Sequence, residues 1–152
     1  MLAAALVALV GAGSDAAWAA TCDENKRPIT ITETQQMNYG TIAVTNGGGT
    51  VTLSATGGVS APGGFTVSGV TTPGQFQVSG RRNCALAIGF LAGFLTGPGA
   101  QMQIRNFTTN AGANPVLGNN GRLNFNVGAD LVVNSSQAGG SYSGTYTVTV
   151  IY

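Results

Sequence analysis

Thr145 to Tyr152 reads Thr-Tyr-Thr-Val-Thr-Val-Ile-Tyr, threonine alternating with large apolar side chains up to the carboxylate. A period of two marks a strand with one buried face, because successive side chains of an extended chain point to opposite sides. Tyr146, Val148, Val150 and Tyr152 are therefore expected on a core face, with the threonines on the other. A run this regular is expected to be structural and central in its sheet.

The same signal recurs along the chain. Ile29 to Glu33, Met37 to Val44 and Thr50 to Ala55 alternate apolar with polar residues. Phe65 to Ser68, Gln75 to Ser79 and Cys84 to Phe90 follow, then Met102 to Phe107, Arg122 to Val127 and Leu131 to Val133. Pro62-Gly63-Gly64, Pro73-Gly74 and Asn119-Asn120-Gly121 read as turns between them. No apolar period of 3.6 lasts three turns, and the 24 glycines would weaken any helix interior. The pattern predicts an all-β fold, an immunoglobulin-like antiparallel β-sandwich in a single domain, with a closed barrel as the alternative.

Ala85 to Leu95 is apolar, uncharged and carries Gly-Phe-Leu twice. It reads either as a buried central strand or as an apolar wall left open for a partner's strand.

The first 19 residues read as a secretory signal rather than as part of the fold. Met1 to Gly13 is almost wholly apolar, and Ala17-Trp18-Ala19 is a small-x-small site, so cleavage would leave a mature domain over residues 20–152. The apolar stretch falls short of the ~20 residues a spanning helix needs, so no membrane span is expected in the mature chain. No Lys or Arg stands near the start, which is consistent with Met1 lying inside a longer leader.

Cys22 and Cys84 are an even pair in an exported chain, which favours a disulfide over two free buried thiols. Charged residues make up 7% of the sequence, where soluble domains average about a quarter. A surface of Thr, Ser, Asn, Gln and Gly associates readily. Nucleic-acid binding is not expected, because it needs a concentrated basic patch, and Lys26-Arg27 and Arg81-Arg82 are isolated pairs.

Chemistry is sparse. The sequence has no histidine, which removes the commonest general base and metal ligand. Gly139-Gly140-Ser141-Tyr142-Ser143-Gly144 sets Tyr142 where a nucleophile elbow needs serine. Glu33 and Asp130 read as solvated surface charges rather than a glycosidase pair. No enzyme activity, catalytic residue, metal or cofactor is expected.

Cys22, then Tyr39-Gly40-Thr41-Ile42, then Gln75-Phe76-Gln77-Val78-Ser79-Gly80 leading to Cys84, then Gly144 to Tyr152, in that order, resemble chaperone-usher pilins. The likeness is to an exported bacterial family of pilin-like domains allied to spore-coat-U-type fimbrial subunits. It implies a sandwich lacking its last strand, whose groove is filled by a neighbour's extension through strand addition. By resemblance the groove or subunit interface would involve Ile29, Ile31, Ile88, Phe90, Phe94, Tyr146, Val148, Val150 and Tyr152. The implied function is a structural subunit of a surface fimbria, self-associating into filaments at the bacterial cell surface. A periplasmic chaperone and an outer-membrane usher would be its export partners. A self-contained adhesive surface module is the alternative. Such pilins carry roughly ten or more donor residues ahead of the first cysteine, at ~3.3 Å each, whereas cleavage after Ala19 leaves Ala20-Thr21. Exchange of Ile29 to Glu33, partial retention of residues 1–20, or a self-complete domain would each answer this.

Overall fold

The computed structural model describes residues 2–8, 22, 27–45 and 47–152. The cleavage site Ala17-Trp18-Ala19, Lys26 and the acidic pair Asp23-Glu24 lie outside the described residues. Eleven strands and no helix are found among those described: β1 (Leu2–Ala8), β2 (Thr30–Gln35), β3 (Thr41–Val44), β4 (Gly49–Leu53), β5 (Val59–Ser60), β6 (Phe65–Ser68), β7 (Gly74–Ser79), β8 (Ala87–Thr96), β9 (Met102–Thr109), β10 (Arg122–Val133) and β11 (Tyr142–Ile151). The expected all-β sandwich is borne out. Apart from β1 and β11, which run parallel, every ladder is antiparallel.

β10 organises the fold. Val127 pairs with both Gly74 and Thr109, and Leu131 with both Val51 and Ile104. A strand residue has two edges, so β7 and β4 lie end to end along one edge of β10 while β9 runs along the other. The sheet thus passes β2-β7-β10-β9-β8-β11-β1, with β4 and β5 leaving from the second half of β10. It curls almost to closure, and β1 comes within 8 Å of β2, Cα to Cα. β3 and β6 form a separate two-stranded ribbon.

Alternation explains the core. In β7, Gly74, Phe76 and Val78 are buried, in β10 Phe125, Val127, Leu131 and Val133, and in β11 Tyr142, Tyr146, Val148 and Val150. The threonines of β11 face outward or lie half-buried, as their spacing predicts.

Three local readings change. Arg122–Val127 and Leu131–Val133 are one strand, not two, because the Gly128-Ala129-Asp130 stretch is taken up as a register shift in the ladder. Gly128 is required there, since a Cβ would collide with the Leu53 carbonyl. The Met37 to Val44 run divides: Asn38 makes an isolated bridge to Thr72, the chain turns at Gly40 with φ +72°, and β3 begins at Thr41. A side chain at Gly40 would also stand 2.5 Å from the Ser68 carbonyl. Lastly, the apolar Ala85 to Leu95 run is not buried on both faces. β8 is central, between β11 and β9, yet Leu91 and Phe94 are 65% and 49% exposed on its outer side.

The Cys22–Cys84 disulfide is formed, with Cα atoms 5.7 Å apart and a sequence separation of 62. It ties the lead-in to β2 to the approach to β8. The bridge is compatible with an extracytoplasmic protein, and no described helix is long and apolar enough to cross a membrane.

Candidate functional site

β2 and β11 are the two strands of residues 29–152 that face each other across the break in the curled sheet. β2 pairs with β7 alone, and within that span β11 pairs with β8 alone. Each therefore offers one edge of unpaired backbone to the seam between them. In the full chain the seam holds β1, which runs parallel to β11 in the register Leu2 with Tyr142 through Ala8 with Val148. No ladder joins β1 to β2.

One end of the seam is clasped. The Tyr152 hydroxyl donates to the Arg27 carbonyl at 2.9 Å and accepts from the Arg81 amide at 2.7 Å. The end of β11 is thereby tied to the entry of β2 and the exit of β7. Gly80 makes room for the phenol, since a Cβ there would lie 2.6 Å from its oxygen.

Further up, two polar groups lie among the apolar side chains of the seam's interior. Tyr146 is 2% exposed, and its ring reaches across the interior until the hydroxyl meets Gly74, where a Cβ would stand 2.5 Å away. Glu33, on β2, sits opposite Phe76 in the β7 ladder. Among the described residues, Glu33 Oε1 and the Tyr146 hydroxyl are the two buried side-chain polar atoms without a hydrogen-bond partner. Burial raises the Glu33 carboxyl above its ordinary value. Burial likewise pushes the Tyr146 phenol above the usual range, and the neighbouring Glu33 charge adds to it.

Glu33 was expected to be a solvated charge; it is half-buried, with Oε1 covered. β2 alternates with Ile31, Glu33 and Gln35 on its inner side, so the period of two that half-buries Ile31 also turns Glu33 inward. That same period was the signal in the sequence that could have found it. Asp130 differs: it is half-buried and accepts from Thr52 Oγ1 at 2.6 Å and Asn106 Nδ2 at 2.9 Å.

The residues expected at an interface separate into two groups. Ile29, Tyr146, Val148 and Val150 are buried in the core, with Ile31, Ile88, Phe90 and Tyr152 half-buried against it. Phe94 does not join them, because it lies on the outer face of β8. An aromatic ladder supports the seam wall: Phe90 stacks on Phe107 at 5.3 Å, Phe107 on Tyr146 at 5.2 Å, and Tyr146 meets Phe76 edge-on at 6.5 Å.

A second concave region, of about 590 Å³, lies between β3 and the loop 137–141. Met102, Val133 and Tyr142 also line it, and no Asp, Glu, Lys or Arg does.

A family model described as a domain of unknown function, DUF4402, matches residues 29–152. The chain belongs to the DUF4402 family. No curated protein and no solved structure matches it. The DUF4402 match begins just ahead of β2 and takes in β11, so both walls of the seam belong to the family domain while β1 lies outside the matched residues.

Proposed function

We propose that this DUF4402 domain is a structural subunit of a bacterial surface filament, assembled by β-strand addition into the seam between β2 and β11. The observation that carries the reading is that an extended segment from outside the family domain lies along the edge of β11 over seven residues in register. Strand addition draws its affinity from backbone hydrogen bonds and its register from the side chains between the walls. The seam supplies both an unpaired edge and a wall of apolar and aromatic side chains. A charge-poor surface favours such self-association, and the disulfide suits a fold that matures outside the cytoplasm.

A second reading is favoured by one observation. Because β1 comes from the same chain, the domain is complete by itself while β1 stays attached, which suits a self-contained surface module. The uncharged cleft beside β3 would then be its contact region.

Size-exclusion chromatography with light scattering on residues 20–152, beside the full chain, separates the two. Filament subunits predict polymers or strand-exchanged oligomers from 20–152 and monomer from the full chain. Monomer from both, with the β11 amides protected from exchange, would overturn strand addition and leave the module.

A further inference from the structure

We infer that the free edge of β8 at Ala87 to Leu91 is a contact between copies of this chain, pairing antiparallel with the same segment of a second copy about a two-fold axis at Gly89. The contact uses a different strand edge from the seam and stands independently of strand addition there.

The edge exists because the β8–β9 hairpin opens. Its ladder is short: Gly93 with Ile104, Phe94 with Gln103 and Leu95 with Met102. Below these pairs β8 gains a residue against β11 between Leu91 and Phe94, and β9 gains one against β10 between Arg105 and Thr108. Bulges of this kind bend a strand and disrupt its ladder. From there β8 follows β11 down to Ala87 while β9 follows β10. The opening between them is lined by Phe90, Ala92, Arg105, Asn106 and Phe107. Ahead of β8 the edge is covered again, the Leu86 amide donating to the Pro115 carbonyl at 2.8 Å. Among the described residues, Ala87 to Leu91 therefore pairs with β11 on one side and with no strand on the other.

The two banks of the opening differ. β9 carries the exposed Arg105 and, at φ +50°, Asn106, a charge and a backbone kink that discourage an incoming strand. β8 has no charged residue and no proline from Ala87 to Thr96. Its stretch from Ala87 to Leu91 is an edge without the usual guards.

The side chains of that stretch fit their own copy. Residues directly opposite in an antiparallel pair lie on the same face, so a two-fold axis must pass through a residue rather than between two. With the axis at Gly89, Ala87 meets the second copy's Leu91 on the outer face, small against large, and Ile88 meets Phe90 on the inner face. Leu91 is 65% exposed, and Ile88 and Phe90 pack half-buried against the core. Nothing lies within 4 Å of the place a Gly89 Cβ would take, so a second backbone can approach. A net charge of +1 leaves little repulsion between copies. So short a pairing buries less than the ~1,000 Å² of a stable interface. It is weak alone and gains strength between copies already tethered in one assembly.

The test is oxidative cross-linking of the full chain at high concentration with copper phenanthroline, the Cys22–Cys84 bond being checked by peptide mapping. Residues paired on the axis stand ~4.5–5.5 Å apart, Cα to Cα, within reach of a disulfide. Thr149 pairs with Gly89 in the β11 ladder, which sets it three strand spacings, ~14 Å, from its copy. Gly89→Cys should therefore give at least about ten times the covalent dimer of Thr149→Cys. Leu91→Cys should cross-link to Ala87→Cys and not to itself, and adding Leu91→Lys to Gly89→Cys should lower the dimer to the Thr149→Cys level. A Gly89→Cys yield no higher than that of Thr149→Cys, in a variant that melts like the parent, would overturn the contact. So would exchange of the Ile88 and Phe90 amides that does not slow with concentration in the unaltered chain. Self-cross-linking of Leu91→Cys would overturn the antiparallel pairing about Gly89.

Discussion

The two most deeply buried tyrosines differ in one respect. Tyr39 is 1% exposed and its hydroxyl donates to the Ala129 carbonyl at 2.8 Å. Tyr146 is 2% exposed and its hydroxyl has no partner among the described residues. Burial pushes both phenols above their usual range. Tyr39 reaches β10 on the closed side of the fold, where β4, β7 and β9 pair with that strand on both edges. Tyr146 faces the seam, where the domain's own strands stop pairing. On the closed side the buried phenol is paired, whereas in the seam it has no partner among the described residues.

Four outcomes would break or sharpen that contrast. The largest effect is expected on the closed side, where Gly128→Ala pushes a Cβ into the Leu53 carbonyl and the backbone of Ser54 and Ala55. Neighbouring backbone cannot yield as a flexible side chain would, so a loss of several kcal/mol is expected, on the order of the worst core overpacking. Near-normal melting of this variant would show that the closed side is not rigid.

Next comes removal of the bridge by Cys22→Ser with Cys84→Ser. It frees a loop of separation 62, for which the chain-entropy model gives a cost of up to about 4 kcal/mol. Because the bridge and the Tyr152 clasp both hold the lead-in to β2, hydrogen exchange in β2 should rise more than in β9. Uniform acceleration would mean that the clasp holds β2 unaided.

The tyrosines themselves give the third test. Tyr39→Phe leaves the Ala129 carbonyl without its partner and should cost about 1–2 kcal/mol by chemical denaturation. Tyr146→Phe removes a group that has no partner among the described residues, and it should be neutral or slightly stabilising. Equal losses would erase the distinction between the two sides.

The smallest effect is a pH dependence. The Glu33 carboxyl is raised by burial in the folded state, so its favourable contribution is fully present below the unfolded value. That contribution is lost as pH rises through the folded one. Glu33→Gln should therefore match the parent at acidic pH and exceed it at neutral pH in the full chain. A parent that is more stable than Glu33→Gln at pH 7 would show that the carboxylate already has a partner.

Much of this fold is legible in the sequence because a period of two is a local property. The run Thr145 to Tyr152 announces its buried and exposed faces, and β11 keeps them. Phe65 to Ser68 appears with the limits its pattern sets. Arg122 to Val133 was harder, because Gly128 looks like a strand end when only its neighbours in sequence are considered. It is a point of contact with Leu53, 75 residues away in sequence. Glu33 is a related case: charge argues for the surface, while the period of its own strand turns it toward the interior and leaves it half-buried.

The alternation and turn residues of this sequence by themselves determined an all-β chain, its core faces and its two-cysteine bridge, since all depend on composition and local spacing. Which edges remained unpaired was decided only in three dimensions. β2 and β11 lie at opposite ends of the family domain, and nothing near either one records that they face each other. The seam, its orphaned Glu33 and Tyr146, and the strand lying between them arise from long-range pairing, which the curl of the sheet sets and local sequence does not encode.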